Sequence, residues 1–255
     1  METSIYQHIL SCRSNGRKLF ALLIDPDKQN PESLSRLMAA TTEARPDLLF
    51  VGGSLLSRNN VRETVVAIKQ KSNIPVVLFP GSTMQFTEEA DALLFLSLIS
   101  GRNPDLLIGR HVEIAPILRQ SSIEVLPTGY MLIDSGMPTT ASYISNSSPI
   151  PHNKADVAAC TAMAGELLGL RLIYLDAGSG ANRPVSPEMI GMVRNHVQIP
   201  VIVGGGIRNE LQMAEAMEAG ADVVVVGNAI ETEPDLIHRF STAIRSFNEK
   251  PRVEA

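Results

Sequence analysis

The stretch PVIVGGGIRNELQMAEAMEAGADVVVVGNAI, residues Pro200–Ile230, contains the pattern that decides the fold. A short apolar segment leads into three glycines, a segment of helical period follows, and a second apolar run ends in Gly-Asn. Short, wholly apolar runs are typical of strands that are buried on both faces of a parallel sheet. The stretch therefore predicts a strand, a helix and a second strand.

The same alternation extends over most of the chain. Short apolar runs that end in Gly, Ser or Asp alternate with longer segments of helical period, as expected for strands and helices in turn. The runs predicted as strands are KLFALLID, DLLFVGGS, IPVVLFPGS, ADALLFLSLIS, IEVLPTGYMLID, LRLIYLDAGSG, IPVIVGGG and ADVVVVGNAI. The segments predicted as helices are PESLSRLMAATTEA, NNVRETVVAIKQK, PDLLIGRHVEIAPILRQ, KADVAACTAMAGELLG, RNELQMAEAMEAG and PDLIHRFSTAIRSF. Between the third and fourth strands, PGSTMQFTEEAD is too short for a full helix, so we expect a loop or turn there.

About eight buried-type strands, mostly separated by helices, favour one architecture. The chain has 255 residues, which is the size of a single barrel of alternating strands and helices. We therefore predict one domain over residues 1–255, a modified TIM (β/α)8 barrel in which irregular chain replaces one helix. The alternative is an open doubly wound sheet, but the sequence lacks the GxGxxG signature after the first strand.

Composition and charge argue against several classes of partner. Charged residues make up 19% of the chain and the formal net charge is -5, so nothing favours a nucleic-acid groove. The two cysteines, Cys12 and Cys160, show no metal-ligand or disulfide spacing. No segment reaches the roughly 18 apolar residues of a membrane span. We expect a cytoplasmic protein, and without a basic amphipathic helix any membrane contact is at most transient.

Glycine-rich loops follow the last three predicted strands. DAGSGA contains Gly178, Ser179 and Gly180, VGGGI contains Gly204, Gly205 and Gly206, and VVGNAI contains Gly227 and Asn228. In a barrel all three loops lie on the C-terminal face. Backbone without side chains can point several N–H groups at an anion, and a following helix adds partial positive charge. Each loop alone is equally well explained as a turn from strand to helix, but three at corresponding positions favour a phosphate-bearing small molecule.

An acidic corner follows the first two predicted strands. The first strand ends LLIDPDK, which contains Asp25, Asp27 and Lys28, and the second ends VGGS, which contains Ser54. One carboxylate and one hydroxyl, completed by water and substrate phosphate, form a typical Mg²⁺ site. We therefore predict that Asp25 and Ser54 hold Mg²⁺, which would bridge to a second phosphate group. For Asp27 and Lys28 a simple turn with a helix cap is an equal alternative.

The histidines and tyrosines give weaker signals. The five histidines show no metal-ligand spacing and the sequence has no GxSxG motif, so they are assigned no chemistry. Tyr130 and Tyr174 lie in predicted strands, near the C-terminal face of the barrel. Either tyrosine could hydrogen-bond a ligand, and either could equally well be a packed core residue.

In this order and spacing, LLIDPDK, VGGS, LPTGYMLID, YLDAGSGA, IVGGGIRN and VVVVGNAI resemble the geranylgeranylglyceryl phosphate synthase family. The resemblance runs from about Lys18 to Glu231. It is closest to the larger of the family's two groups, which carries stretches like PTGY at Pro127–Tyr130 and PIP at Pro149–Pro151. The resemblance implies a modified TIM barrel with one helix replaced by irregular chain, in agreement with the short third connection.

The resemblance also implies site residues. Asp25 and Ser54 would hold Mg²⁺, and Asp176 and Tyr174 would be the catalytic residues. The residues implied to bind sn-glycerol 1-phosphate are Tyr174, Leu175, Asp176, Ala177, Gly178, Ser179, Gly180, Gly205, Gly206, Gly227 and Asn228. At position 176 the family typically has Glu, so the carboxylate of Asp176 is one methylene shorter.

The implied reaction is a Mg²⁺-dependent prenyl transfer. A long prenyl diphosphate, with geranylgeranyl diphosphate as the expected donor, would give its prenyl group to the C3 hydroxyl of sn-glycerol 1-phosphate and release diphosphate. The stretches ALLFLSLI and YMLI could line a groove for the prenyl tail, although they would serve any barrel core. Family members commonly associate, so we expect a homo-oligomer. Two alternatives stay open, an FMN-dependent barrel oxidoreductase and a non-catalytic phosphometabolite-binding barrel.

Overall fold

Eight parallel strands close into a barrel in the computed structural model, which describes residues 4–58 and 60–250. Strands that follow one another in the chain are neighbours in the barrel, and the last strand pairs with the first. The strands are β1 (Leu19–Ile24), β2 (Leu48–Val51), β3 (Val76–Leu78), β4 (Ala92–Leu98), β5 (Glu124–Leu132), β6 (Leu172–Asp176), β7 (Val201–Gly204) and β8 (Val223–Val226). The predicted barrel is confirmed. The prediction of one domain over residues 1–255 includes positions outside the described residues and stays a prediction.

Helices connect most of the strands and surround the barrel. They are α1 (Ile5–Ser14), α2 (Pro31–Ala44), α3 (Val61–Lys69), α4 (Arg110–Gln120), α5 (Thr140–Ser145), α6 (Ala155–Leu167), α7 (Pro187–His196), α8 (Glu210–Glu218), α9 (Asn228–Thr232) and α10 (Leu236–Glu249). Within residues 4–58 and 60–250, no helix combines the length and the apolar character that crossing a membrane requires.

Local sequence explains where individual helices begin. Asn30 caps α2, because its side chain accepts hydrogen bonds from the N–H groups of Glu32 and Ser33. Helix α7 was not assigned from the sequence, yet it carries the same signals: the Ser186 side chain accepts from the N–H of Met189, and Pro187 fills the first turn. The apolar pattern of α7 extends over few residues. The cap therefore indicates this helix more clearly than the pattern does.

The third connection of the barrel lacks an α-helix. Residues 79–91, all of which the structure describes, contain only a 3-10 turn at Thr83–Gln85. This confirms the prediction that irregular chain replaces one helix. Residues of this connection, among them Pro80, Gly81 and Thr83, line a cavity next to the end of β3.

Alternating side chains divide the core into two layers. In β6, Leu172 and Tyr174 point into the barrel, whereas Ile173 and Leu175 pack outward against the helices. This follows from the period of two along a strand, because successive side chains point to opposite faces. The inward layer ends at Tyr174 and Asp176, so these two residues form part of the floor at the C-terminal end of the barrel.

Candidate functional site

The loops after β1, β2, β6, β7 and β8 surround one cavity at the C-terminal end of the barrel, which we call the polar pocket. Its lining includes most of the predicted site residues: Asp25, Ser54, Tyr174, Asp176, Gly178, Ser179, Gly180, Gly205, Gly206, Gly227 and Asn228. Residues that are more than 200 positions apart in sequence meet here, as the bond between Lys28 and Glu231 illustrates. The structure therefore brings the glycine loops and the acidic corner together around one volume.

Two predicted residues, Leu175 and Ala177, do not line the polar pocket. Their side chains are buried between the barrel and the helices. The physical reason is the alternation along β6, which turns Tyr174 and Asp176 inward and the residues between and after them outward. The side chains of these two residues therefore face away from the pocket, and their predicted role in binding sn-glycerol 1-phosphate stays a prediction.

The glycine loops present several backbone donors to the pocket. The N–H groups of Ser179, Gly180, Gly205, Gly206 and Asn228 have no acceptor among the described residues. All four loop glycines Gly178, Gly180, Gly205 and Gly206 have positive φ, between 73° and 91°. That conformation is easily reached only by glycine and turns consecutive N–H groups toward one side. The arrangement can hold an anionic group such as a phosphate.

Contacts within the protein account for all three consecutive glycines, since a Cβ atom at Gly206 would lie 2.8 Å from the backbone of Arg183. A Cβ atom at Gly204 would lie 2.5 Å from the Tyr174 hydroxyl, and one at Gly205 would lie 2.7 Å from Oδ1 of Asp176. The lack of side chains at Gly204 and Gly205 therefore leaves room for the inward side chains of β6 as well as for a ligand. The sequence predicts an anion at these loops, and the protein contacts give a second reason for glycine at these positions.

Replacing Gly205 with alanine is expected to damage the pocket. The residue has a φ of 80°, and the new methyl group would meet the N–H of Gly178 at 2.5 Å. Strained backbone of this kind costs on the order of 1–3 kcal/mol, and the collision displaces the glycine loop after β6. We expect a lower unfolding temperature and weaker binding of inorganic phosphate by calorimetry. Gly191→Ala in α7 is the matched control, since its nearest neighbour would be at 3.7 Å, and equal effects in both variants would contradict the argument.

Asp176 is a buried carboxylate on the floor of the polar pocket. It is 7% exposed, its Oδ2 accepts a hydrogen bond from the Tyr130 hydroxyl at 2.5 Å, and its Oδ1 accepts from the N–H of Gly178 at 2.8 Å. Burial raises the pKa of Asp176 above its ordinary value, although the two hydrogen bonds act in the opposite direction. A carboxylate with a raised pKa is better suited to accept a proton than an ordinary exposed one.

The two inward tyrosines have different surroundings. Tyr130 donates its hydroxyl proton to Asp176, whereas the hydroxyl of Tyr174 has no hydrogen-bond partner among the described residues. Burial, followed by the charge of Asp176, holds the pKa of both phenols well above the ordinary tyrosine value. Both therefore remain neutral, and Tyr174 is available to hydrogen-bond a ligand in the polar pocket.

Asp25 lines the polar pocket at the end of β1, the strand that pairs with β8. Its Oδ1 accepts from the N–H of Asp27 at 3.0 Å, and its Oδ2 lies 3.7 Å from the ammonium of Lys28. Lys28 is held in turn by Glu231 at 2.8 Å and by Oδ1 of Asn228 at 3.4 Å. Burial raises the pKa of Asp25, opposed by the Asp27 N–H and by Lys28. Burial opposes the charge of Lys28, but the bond to Glu231 and the nearby carboxylates raise its pKa overall.

Asp27 has a structural role and lies outside the polar pocket. Its carboxylate accepts hydrogen bonds from the N–H groups of Ser57 and Arg58 and so holds the loop after β2. These bonds, led by that from Ser57, lower the pKa of Asp27. Of the two alternatives for Asp27, the structure favours the turn. Lys28, in contrast, lines the pocket.

The donor set at this corner suits a magnesium ion that is completed by substrate. Asp25 and Ser54 both line the pocket, and among the described residues no group of three or more His, Cys, Asp and Glu side chains could hold a metal. A fully protein-coordinated transition metal is therefore not indicated by these residues. Mg²⁺ commonly binds through one or two carboxylates, with water and phosphate oxygens for its remaining ligands. One half-buried carboxylate and one hydroxyl, lining the same pocket as the glycine loops, fit that description.

Gln85 organises the loop that carries Ser54, and no sequence motif pointed to it. Its Oε1 accepts from the N–H groups of Gly53 and Gly81 at 3.4 and 3.2 Å, and its Nε2 donates to the Gly53 carbonyl at 2.9 Å. Gln85 is 5% exposed and belongs to the 3-10 turn of the third connection. The irregular connection therefore supplies the side chain that fixes the backbone next to Ser54.

A second cavity, which we call the apolar pocket, opens beside the polar one. It is lined mainly by side chains of β4, β5 and the neighbouring helices: Leu93, Leu94, Phe95, Leu96, Leu98, Leu106, Ile114, Tyr130, Leu132, Ala141 and Ile144. These include members of both stretches that were predicted to line a groove. His111 also lines it, with its ring edge-on to Phe95 and 3.1 Å from the Ser97 hydroxyl. Gly53, Ser54 and Phe79 line both pockets, so the two cavities adjoin along this shared wall.

Comparisons with known proteins agree with this geometry. The PcrB family matches residues 13–247. A geranylgeranylglyceryl phosphate synthase of Spirosoma linguale is 54% identical over 235 residues, which cover 92% of this chain and 94% of the relative. A protein of the same name from Chitinophaga pinensis is 52% identical, with 96% and 98% covered.

A solved structure of the same kind has the same fold. The (S)-3-O-geranylgeranylglyceryl phosphate synthase of Thermoplasma acidophilum, in complex with its substrate sn-glycerol-1-phosphate, superposes with a TM-score of 0.90 at 31% identity. The alignment covers 96% of this chain and 99% of that one. Because the PcrB match and the relatives at more than 50% identity span nearly the whole sequence, the chain belongs to the geranylgeranylglyceryl phosphate synthase family.

Proposed function

We propose that this chain transfers a prenyl group from a long prenyl diphosphate to the C3 hydroxyl of sn-glycerol 1-phosphate. The observation that carries the proposal is the shared wall of Gly53, Ser54 and Phe79 between a phosphate-suited pocket and an apolar one. A donor with an anionic head and a long hydrocarbon tail needs both environments side by side. The acceptor in the complex of the Thermoplasma acidophilum relative, sn-glycerol-1-phosphate, needs only the polar one.

The glycine loops would bind the phosphate of the acceptor. The free N–H groups of Ser179, Gly180, Gly205, Gly206 and Asn228 support this role, because together they can donate to several phosphate oxygens. Ser179 and Asn228 are already hydrogen-bonded to each other at 3.1 Å, so the loops after β6 and β8 are positioned together. Fixing the phosphate at one end orients the glycerol hydroxyls at the other end toward the donor.

Asp176 would accept the proton of the attacking hydroxyl. The C3 oxygen forms a bond to C1 of the prenyl group, the bond between C1 and the diphosphate oxygen breaks, and the diphosphate leaves with the electron pair. The proton of the hydroxyl passes to the Asp176 carboxylate, which burial makes more basic than usual. Tyr174, with its free hydroxyl in the same pocket, would hydrogen-bond the glycerol.

Asp25 and Ser54 would hold Mg²⁺ next to the diphosphate. The ion, when bound, would offset the negative charge that grows on the leaving diphosphate. Lys28 lines the same corner and adds a fixed positive charge at the pocket. Glu231 keeps Lys28 in place and also accepts from the backbone N–H of Asp25 at 3.3 Å, so it positions both residues.

We also propose that the chain forms a homo-oligomer. Exposed apolar side chains on the outer face of α6 and directly after it support association, because Leu167 and Leu168 are 88% and 80% exposed. A cytoplasmic location and no more than transient membrane contact stay predictions.

An assay with purified protein tests the proposed reaction. It combines Mg²⁺, labelled sn-glycerol 1-phosphate and prenyl diphosphates of increasing length, with and without EDTA. We expect an ether product that depends on Mg²⁺ and forms from sn-glycerol 1-phosphate but not from sn-glycerol 3-phosphate. Tight binding of sn-glycerol 1-phosphate without product from any donor would contradict the reaction and favour the non-catalytic alternative. A yellow protein with bound flavin would favour the oxidoreductase.

A further inference from the structure

The wall between the two pockets marks where the chemistry must occur, given the proposed function. The head of the donor belongs in the polar pocket and its tail in the apolar pocket, and the reacting carbon is the atom that joins them. That carbon must therefore lie at the shared wall, which consists of Gly53, Ser54 and Phe79. Of these three residues, only Phe79 has an aromatic ring.

Backbone contacts fix the position of Phe79. Its N–H donates to the carbonyl of Val51 at 2.9 Å, and its own carbonyl lies against Gly52. Gly52 has a φ of 150°, and a Cβ atom there would collide with the Phe79 carbonyl. The absence of a side chain at position 52 therefore allows β2 and the end of β3 to approach closely, and the position of the ring follows from that contact.

The Phe79 ring packs against three aromatic neighbours, of which Phe50 is tilted by 52° with centroids 6.4 Å apart. It stacks on Tyr174 with centroids 5.1 Å apart and planes inclined by 16°, and it meets Tyr130 edge-on at 5.8 Å. Tyr130 and Tyr174 meet each other edge-on at 5.6 Å. Offset stacking and edge-on contacts are the favourable geometries for aromatic pairs. Three rings thus form one unit at the junction of the pockets, close to the Asp176 carboxylate that Tyr130 contacts.

We propose that the Phe79 ring stabilises the positive charge that develops on the allylic carbon of the donor. As the C1–oxygen bond breaks, its electron pair leaves with the diphosphate and the allylic group becomes positively charged until the glycerol oxygen supplies a new pair. The electron-rich face of an aromatic ring attracts such a charge, and the attraction is larger in a site from which water is excluded. Phe79 would thus be a catalytic residue, because it contacts the reacting carbon.

Fluorinated phenylalanines at position 79 test the proposal. Each added fluorine weakens the attraction of the ring for a cation while the ring keeps nearly the same shape. We expect kcat to fall steadily with the number of fluorines, by about tenfold from phenylalanine to the trifluoro derivative, with the KM for the donor nearly unchanged. Unfolding temperatures across the series monitor the packing against Tyr130 and Tyr174.

The matched control is the same series at Phe240, which is buried against Phe20 with ring centroids 6.1 Å apart and lines neither pocket. We expect no trend in kcat there. A flat series at Phe79, or equal trends at both positions, in an enzyme whose wild type makes the ether would overturn this proposal and leave the proposed function intact. If the wild type forms no ether with any donor, the proposed function fails and this inference fails with it.

Discussion

Replacing Asp176 with asparagine is expected to lower kcat by about 10²–10⁴-fold, the range that a positioned general base contributes. The amide keeps the size of the carboxyl group but can no longer accept the proton of the glycerol hydroxyl. Binding of sn-glycerol 1-phosphate should change little, because the glycine loops hold the phosphate. The measurement is steady-state kinetics together with calorimetric binding. Wild-type turnover in Asp176→Asn would exclude a general-base role.

The control for this variant is Asp134→Asn. Asp134 follows β5, pairs with Arg183 at 3.2 Å and lies outside the polar pocket. Its carboxylate has no access to the glycerol, so we expect nearly unchanged kinetics. A comparable loss in both variants would indicate a general effect of removing negative charge on this face of the barrel.

The same carboxylate predicts a pH dependence with a definite sign. Burial raises the pKa of Asp176, and activity needs the charged form, so the rate should fall as the pH drops through this raised pKa. Tyr130→Phe removes a hydrogen bond that favours the charged form and should move this limb of the pH profile to higher pH. For stability the sign is opposite: a raised pKa contributes stability below the unfolded value of about 3.9, and this contribution is lost as the pH rises. Relative to wild type, Asp176→Asn should therefore gain stability as the pH increases.

The barrel was predictable because every strand carries a local signal. The runs at β7 and β8 are wholly apolar and end in glycine, and buried parallel strands require that composition on both faces. The convergence of the loops then follows from topology alone, since parallel strands in a closed barrel all end on one side. This is why Gly178, Gly205 and Asn228 could be grouped from the sequence before any distance was known.

The details of the site depended on contacts that have no sequence signature. Leu175 and Ala177 lie within the segment that was predicted to bind the ligand. Their side chains nevertheless point outward, whereas those of Tyr174 and Asp176 point into the barrel, because side chains alternate along β6. Gln85 and Phe79 lie at or beside the irregular third connection, where neither periodicity nor a motif marks a role. The contacts that matter for both residues are distant in sequence. Gln85 hydrogen-bonds Gly53, and the ring of Phe79 packs against the tyrosines of β5 and β6.

Replacing Asp25 with asparagine is expected to remove most of the response to Mg²⁺ and to lower kcat/KM by at least ~10²-fold, which corresponds to about 3 kcal/mol. Asp25 is the carboxylate that faces the polar pocket at the end of β1. An amide binds Mg²⁺ much more weakly than a carboxylate, and the charge on the leaving diphosphate would be less well offset. A Mg²⁺ titration of activity measures the effect. Unfolding temperatures with Mg²⁺ and inorganic diphosphate give a second readout that does not depend on turnover.

The variant Asp27→Asn distinguishes a metal-binding role of Asp25 from an effect of the turn that contains both aspartates. The two aspartates are two residues apart in one Asp-Pro-Asp turn, yet the Asp27 carboxylate binds the N–H groups of Ser57 and Arg58 and does not reach the pocket. Hydrogen bonding lowers the pKa of Asp27, so its contribution to stability is present above the unfolded pKa and is lost as the pH falls. We expect Asp27→Asn to lose stability at neutral pH and to keep its Mg²⁺ response. If both variants lost that response equally, the turn as a whole would hold the ion in place, and Asp25 would not be its ligand.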